Sequence, residues 1–407
     1  MGRKMKDSGV EWIGEIPEDW TLAELKFFAH VNNGREIENE VNGNEPNAIP
    51  VYGSGGVFKY TDNFLHDGEV VMFGRKGTLG KPIYVKGKFW VVDTMYYLTH
   101  NETLNPKYNY YLLSSFDWTP HITQTALPSI VASQIIACKF PIPPINEQQL
   151  ICNKLDVLIN EVDRAKEKAD RAILAYKSLK QSLITRAVTK GVRGKREMKD
   201  SGIEWIGEIP ADWDVTRIKF LFELRNERNF LPLEEVNLIS LYTDKGVIQH
   251  DDLEKTTGNK ASNADGYKIV CKNDIVVNII LCWMGAIGRS AYEGVTSPAY
   301  DVYIPNADVD SRFYHHYFRT TGFNGDCYKR GKGIMAMRWR TYAEQFRDIK
   351  VVHPPMEEQQ EILRYLDEKC SAIDTLIAKK EQLLSELETY KKSLIYEYVT
   401  GKREVPA

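Results

Sequence analysis

The chain has no apolar run near the roughly 20 residues needed to cross a bilayer, and its opening MGRKMKDSGVEW carries basic residues with no apolar stretch behind them. Neither a membrane span nor a secretory signal is expected, so the sequence places the chain in the cytoplasm with no membrane partner. Cysteine is sparse. The six in 407 residues include no CxxC pair and no metal-ligand spacing, which predicts reduced, mostly buried thiols rather than disulfides or zinc. Charge of one sign is also missing: the net value of −3 argues against a nonspecific nucleic-acid coat while leaving room for local basic patches.

Catalytic signatures are absent as well. There is no HExxH and no GxGxxG after a strand. The Gly-rich run Gly74–Pro82 fails as a phosphate loop, because Arg75 stands where the first glycine belongs and Pro82 replaces the hydroxyl residue that would hold Mg²⁺. Asn105-Pro-Lys-Tyr108 has lysine where an amino-methyltransferase loop has its second proline, and no glycine-rich cofactor loop accompanies it. The chain is therefore expected to catalyse nothing, bind no metal and bind no cofactor of its own.

What is present is written twice. Residues 5–20 read MKDSGVEWIGEIPEDW and residues 198–213 read MKDSGIEWIGEIPADW, differing only at Val10/Ile203 and Glu18/Ala211. PPINEQQ at 143–149 returns as PPMEEQQ at 354–360. Two copies of one unit imply pseudo-twofold symmetry and a partner with two related halves. DNA is the obvious candidate.

Proline and glycine disappear from residues 146–190 and 357–400. Each stretch follows a Pro-Pro pair and carries acidic residues in its first turn, as helix starts do. Leu155, Val162, Ala169, Tyr176 and Leu183 recur every seven residues, with Leu158 and Leu179 on the companion row. In the second stretch Leu366, Ile373, Leu387 and Leu394 pair with Leu376, Leu383 and Tyr390. That pattern predicts two long helices, each roughly 60 Å, packed as an antiparallel coiled coil.

The remaining segments, 1–145 and 191–356, mix turn signals with short β-prone runs such as Glu69–Phe73 and Ile275–Val277. The expected architecture is α+β: two globular domains separated by the long helices. Gly77-Thr-Leu-Gly80-Lys81 lines up with Gly285-Ala-Ile-Gly288-Arg289, and Asp93 with Asp301, at an offset of 208. The surroundings diverge, as two readers of different sites would.

The duplicated layout, PPxxEQQxI entering each helix, and the GxxGK/GxxGR motifs resemble the DNA-specificity subunits of type I restriction–modification enzymes. The resemblance covers essentially the whole chain. It implies two target-recognition domains, each reading half of a bipartite asymmetric site, with the helices as a spacer ruler. It further implies two methyltransferase subunits as partners, which use S-adenosylmethionine, and a translocating nuclease subunit that completes the restriction complex.

Base edges in the major groove are read by Arg, Lys, Asn and Gln, and phosphates by Lys, Arg and Thr. In the first domain the candidates are Lys59, Tyr60, Arg75, Lys76, Thr78, Lys81, Thr123 and Gln124. In the second they are Asn278, Trp283, Arg289, Lys329, Arg330, Lys332, Arg338 and Arg340. The repeated EWIGEIPxDW phrase is expected to staple each domain to the end of the other repeat's helix. The competing reading is a non-catalytic scaffold whose coiled coil tethers two protein-binding domains.

Overall fold

The computed structural model describes residues 3–243, 245–249, 263–333 and 339–405. Two helices dominate it, Ile145–Lys190 and Met356–Val399. Among the described residues no helix is long and apolar enough to cross a membrane. The chain divides into two compact units that do not follow the four linear segments. One runs to Asp170 and resumes at Glu381, and the other is Arg171–Lys380. Each unit holds one globular α/β domain and half of each long helix.

The first unit contains a six-stranded sheet in the order Ala29–Asn33, Met95–His100, His66–Gly74, Ile83–Val91, Ile49–Gly53, Gly56–Thr61. All neighbours are antiparallel except Ile83–Val91 with Ile49–Gly53. The helix Pro106–Ser115 packs on it, with Tyr108, Leu112 and Leu113 in the same buried cluster as Val71, Phe73 and Leu98. The second unit has a shorter sheet, Phe222–Leu224, Tyr300–Pro305, Ile275–Asn278 and Ile287–Arg289. Its helices Ser311–Phe318 and Thr321–Arg330 bury Phe313, Tyr314, Tyr317, Phe318 and Phe323.

The repeated phrase builds the same small device in each unit. Met5–Asp7 pairs with Glu15–Pro17 and Met198–Asp200 with Glu208–Pro210, in identical register. Trp20 then lies in a core with Leu394, Ile395, Tyr398 and Val399 from the end of the second long helix. Trp213 lies with Ala187 and Val188 from the end of the first. Each copy therefore stands at the end of the other repeat's helix. Gly401 (φ +72°) and Gly191 (φ +73°) stop the helices in the left-handed conformation open to glycine. They also leave room for the indoles: a Cβ on Gly401 would lie 3.1 Å from Trp20, and one on Gly191 3.2 Å from Trp213.

PPxxEQQ supplies the other half of the joint. Gln148 is fully buried; its Nε2 donates to Thr103 O (2.9 Å) and Pro143 O (2.8 Å), and its Oε1 accepts from Asn105 N (2.7 Å). Gln359 repeats all three with Asp308 O, Pro354 O and Asp310 N. Asn105 and Asp310 cap the short helices Pro106–Ser115 and Ser311–Phe318. The glutamine thus ties a helix of the globular domain to the start of a long helix, leaving no atom of its own amide unpaired.

Within each unit the two long-helix segments run in opposite directions. In the first, Lys391 pairs with Asp163 at 2.8 Å and Lys166 with Glu388. In the second, Lys180 pairs with Asp374 at 2.7 Å in the same register. The seam row Leu155, Val162, Leu366, Ile373 and Leu394 is buried, and Leu183 and Leu387 are half-buried.

The companion row needs correction. Leu179 and Leu376 are 47% and 41% exposed, and Tyr390 48%. The expected row is buried only at the helix starts, Ile151 and Ile362; beyond them the buried companions fall one residue later, at Ile159, Ile173, Ala187, Cys370 and Tyr398, with Leu158 and Leu383 only half-buried. Lys166, Lys180 and Lys391 occupy the same row. Their stems lie along the seam while each ammonium reaches a carboxylate on the facing helix. Leu179 is more apolar than Lys180, so hydrophobicity alone favours the wrong row.

Candidate nucleic-acid interface

Three loops meet in the first unit. They are the turn between Ile49–Gly53 and Gly56–Thr61, the Arg75–Lys81 loop, and the Thr123–Ser129 loop. Ser54 Oγ accepts from Thr78 N at 3.1 Å. Arg75 N and Lys76 N both donate to Thr94 O (2.8 and 3.1 Å), Ile130 N donates to Arg75 O (3.0 Å), and Lys76 bridges to Ser129. Thr123 closes its own loop through Ser129, with Oγ to Oγ at 2.9 Å. The backbone is thereby pinned on both sides while Arg75, Lys76, Thr78 and Gln124 stay exposed. The Arg75 guanidinium lies over Tyr96, 5.9 Å from its centroid. Neither Arg75 nor Lys76 pairs with a carboxylate among the described residues.

Lys59, Tyr60 and Lys81 are placed differently. Lys59 pairs with Glu40 at 2.6 Å, and Tyr60 covers Gly43, so both hold the preceding loop on the strand. Lys81 lines a recess of about 870 Å³ with Asp117, Thr119, Thr389 and Lys392.

In the second unit the cations are used otherwise. Asn278 is buried, and its Oδ1 accepts from Ile280 N (3.0 Å) and Leu281 N (3.3 Å). It shapes the turn into the loop, as an Asx side chain does, and its expected base contact is corrected. Arg289 Nε donates to Asn273 Oδ1 at 2.9 Å, and burial, with Arg312 nearby, lowers its pKa. Lys329 pairs with Glu204 at 2.8 Å and Arg330 with Asp348 at 3.5 Å.

Lys332 and Arg340 stand opposite one another, each N–H donating to the other's carbonyl at 2.8 and 3.0 Å. Arg338 lies outside the described residues. Trp283 contacts Tyr328 (centroids 5.5 Å), which stacks on Trp339 at 4.9 Å and 21°. Behind this surface a recess of about 540 Å³ is lined by Lys177, Lys180, Lys245, His315 and His316. Burial pushes His315 down to about 3 and His316 to about 4, and His315 Nδ1 accepts from Arg289 N at 3.1 Å.

Strand register also corrects the alignment of the two domains. Met72 pairs with Ile83 as Val277 pairs with Ile287, offsets of 205 and 204 rather than 208. Asp93 sits in an exposed turn, whereas Asp301 lies on a buried strand paired with Lys268 at 2.6 Å. The match was one of composition, because glycine loops shift register at little cost. Ser54, Tyr96, Ser129 and Lys392 were not singled out from sequence. Their roles depend on loops far apart in the chain, and only the Tyr-Gly-Ser-Gly-Gly turn gave a local signal.

The family model for the type I restriction modification DNA specificity domain matches residues 17–171 and again 210–389. The type I restriction enzyme MjaVIII specificity subunit of Methanocaldococcus jannaschii is 22% identical, over 96% of this chain and 94% of that one. Among solved structures, the HsdS subunit from Thermoanaerobacter tengcongensis matches 98% of this chain and all of its own (15% identity, TM-score 0.54). A chain from a study of complex assembly and conformational transition of the type I R-M system matches 95% and 99% (12% identity, TM-score 0.71). At these identities the structural likeness is one of fold.

Proposed function

The chain belongs to the family of type I restriction–modification DNA specificity subunits, and from that premise we propose that it reads a bipartite, asymmetric double-stranded DNA target, one half-site per unit. It is non-catalytic. It directs two methyltransferase subunits, which would bring S-adenosylmethionine, and a nuclease–translocase subunit to the sites it selects.

One observation carries the reading. Each unit offers backbone pinned by hydrogen bonds and bearing cations that pair with no carboxylate among the described residues, and the two units carry different side chains there. Arg75 and Lys76 stand in one; Lys332 and Arg340, paired with one another, stand beside the Tyr328–Trp339 stack in the other. Pinned backbone with free guanidinium and ammonium groups suits base and phosphate recognition. Different side chains on one frame suit two unlike half-sites.

The test is selection from a randomised duplex library by the full chain with its methyltransferase subunits. Enrichment of two unlike short motifs at one fixed separation is expected. Enrichment of a single motif, or of none, would overturn the bipartite reading, and the scaffold reading would then gain.

A further inference from the structure

The two surfaces differ in chemistry as well as sequence. Resting on the reading of one half-site per unit, we infer that the first unit recognises guanine through Arg75, and the second recognises the C5-methyl group of thymine through Met284 and Tyr328.

The first arm follows from the guanidinium. Guanine is the base whose major-groove edge presents two acceptors, N7 and O6, side by side, and the planar guanidinium fork matches both. Such a contact needs a cation that is unpaired, exposed and carried on fixed backbone. Arg75 meets each requirement: it pairs with no carboxylate among the described residues, its N–H and carbonyl are both bonded, Tyr96 supports the guanidinium, and the side chain is exposed. Lys76 beside it provides a second, less directional donor.

The second arm follows from what replaces those cations. Met284 is 50% exposed and Tyr328 49%. Tyr328 stands on a stiff layer, since Trp339 Nε1 donates to Tyr328 O at 3.1 Å and a Cβ at Gly331 would come within 2.2 Å of that indole; Met284 follows Trp283, whose ring packs on Tyr328 at 5.5 Å between centroids. Two of the neighbouring cations are occupied by Glu204 and Asp348. Lys332 and Arg340, paired with one another beside Trp339, are the cations placed to hold phosphates. An apolar, rigid surface with cations at its border fits the one apolar feature of the major groove, the thymine methyl. A protein-docking patch would not need those cations.

The full chain with its methyltransferase subunits is used for binding to the selected duplex and to duplexes altered at single bases. Arg75→Ala should reduce discrimination for guanine in one half-site by roughly five- to a hundredfold and leave the other half-site unchanged. Arg75→Lys should keep the salt dependence of binding yet lose most of that discrimination. Replacing thymine by uracil in the other half-site should weaken binding about fourfold for each methyl buried. Met284→Ser should abolish the thymine–uracil difference. Guanine preference surviving Arg75→Ala, or indifference to the methyl group, would overturn the assignment while two half-sites are still selected. Selection of no half-sites would instead remove the reading on which it rests.

Discussion

Trp20 and Glu147 are 127 positions apart in the chain, and the indole Nε1 donates to the carboxylate Oε2 at 3.0 Å. Trp213 and Glu358 repeat the bond at 2.9 Å. In each case an arginine, Arg3 or Arg196, closes on the same carboxylate. Two sequence signatures that look unrelated, EWIGEIPxDW and PPxxEQQ, are therefore the two halves of one joint.

That joint should be unequally sensitive in the two units. The two arginines are similarly placed, Arg196 17% and Arg3 23% exposed, but Glu358 is fully buried whereas Glu147 is 22% exposed. Glu358→Gln would remove the buried carboxylate that holds both Arg196 and Trp213, leaving Arg196 only Asp212 at 3.6 Å, at about 3 kcal/mol. Glu147→Gln should cost about 1–2 kcal/mol, since water can replace part of the lost bond. Denaturant unfolding followed by tryptophan fluorescence would compare them, and equal losses would contradict the burial difference.

The corrected helix register makes a second comparison. Ile373→Ala should destabilise the chain by about 2–4 kcal/mol, because it empties a buried seam position. Leu179→Ala and Leu376→Ala should each change stability by less than about 1 kcal/mol, because both side chains face solvent. Thermal unfolding of the three variants decides between the two companion rows.

Acid should weaken the second unit. His315 and His316 are held neutral by burial, with values of about 3 and 4 against an ordinary 6.5. Between those values the unfolded chain binds protons that the folded chain does not, so stability is complete above about pH 6.5 and falls as pH drops toward 4. His316→Gln should remove about 2 kcal/mol of the loss seen between pH 7 and pH 5. Thermal melts at the two pH values would measure it. An unchanged pH dependence would mean that His316 takes up its proton as readily in the folded chain as in the unfolded one.

Spacer length is the third expectation tied to the helices. The two compact units divide each helix beside Asp170 and Lys380. Insertion of four residues near Ala169, matched by four near Lys380, adds about 6 Å of helical rise, near two base pairs. The heptad is stuttered but keeps its apolar face. Binding across duplexes that vary only in spacer should shift to a longer gap. A folded variant with the original preference would mean that the helices do not set the spacing.

Much of this architecture is local information. Absence of proline and glycine, Pro-Pro starts and sevenfold apolar recurrence are enough to bound both long helices to within a residue of Ile145–Lys190 and Met356–Val399. Duplication of two phrases is enough to indicate two units and the stapling of each phrase to the other repeat's helix, since identical segments make identical contacts. The candidate cations at Arg75 and Lys76 were legible because a basic, glycine-punctuated loop between strands has few structural uses.

Tertiary structure decided what depends on partners distant in the chain. Which of two adjacent rows faces the seam was set by the carboxylates opposite Lys166, Lys180 and Lys391, and no single helix carries that information. Lys329 and Arg330 read as free cations until Glu204 and Asp348 are brought beside them. Asn278 reads as a base-contacting amide until the turn at Ile280 claims its oxygen. Composition and period reveal which groups a segment offers; only the folded chain determines which of them are left unpaired for a ligand, because pairing is a property of two residues and not of one.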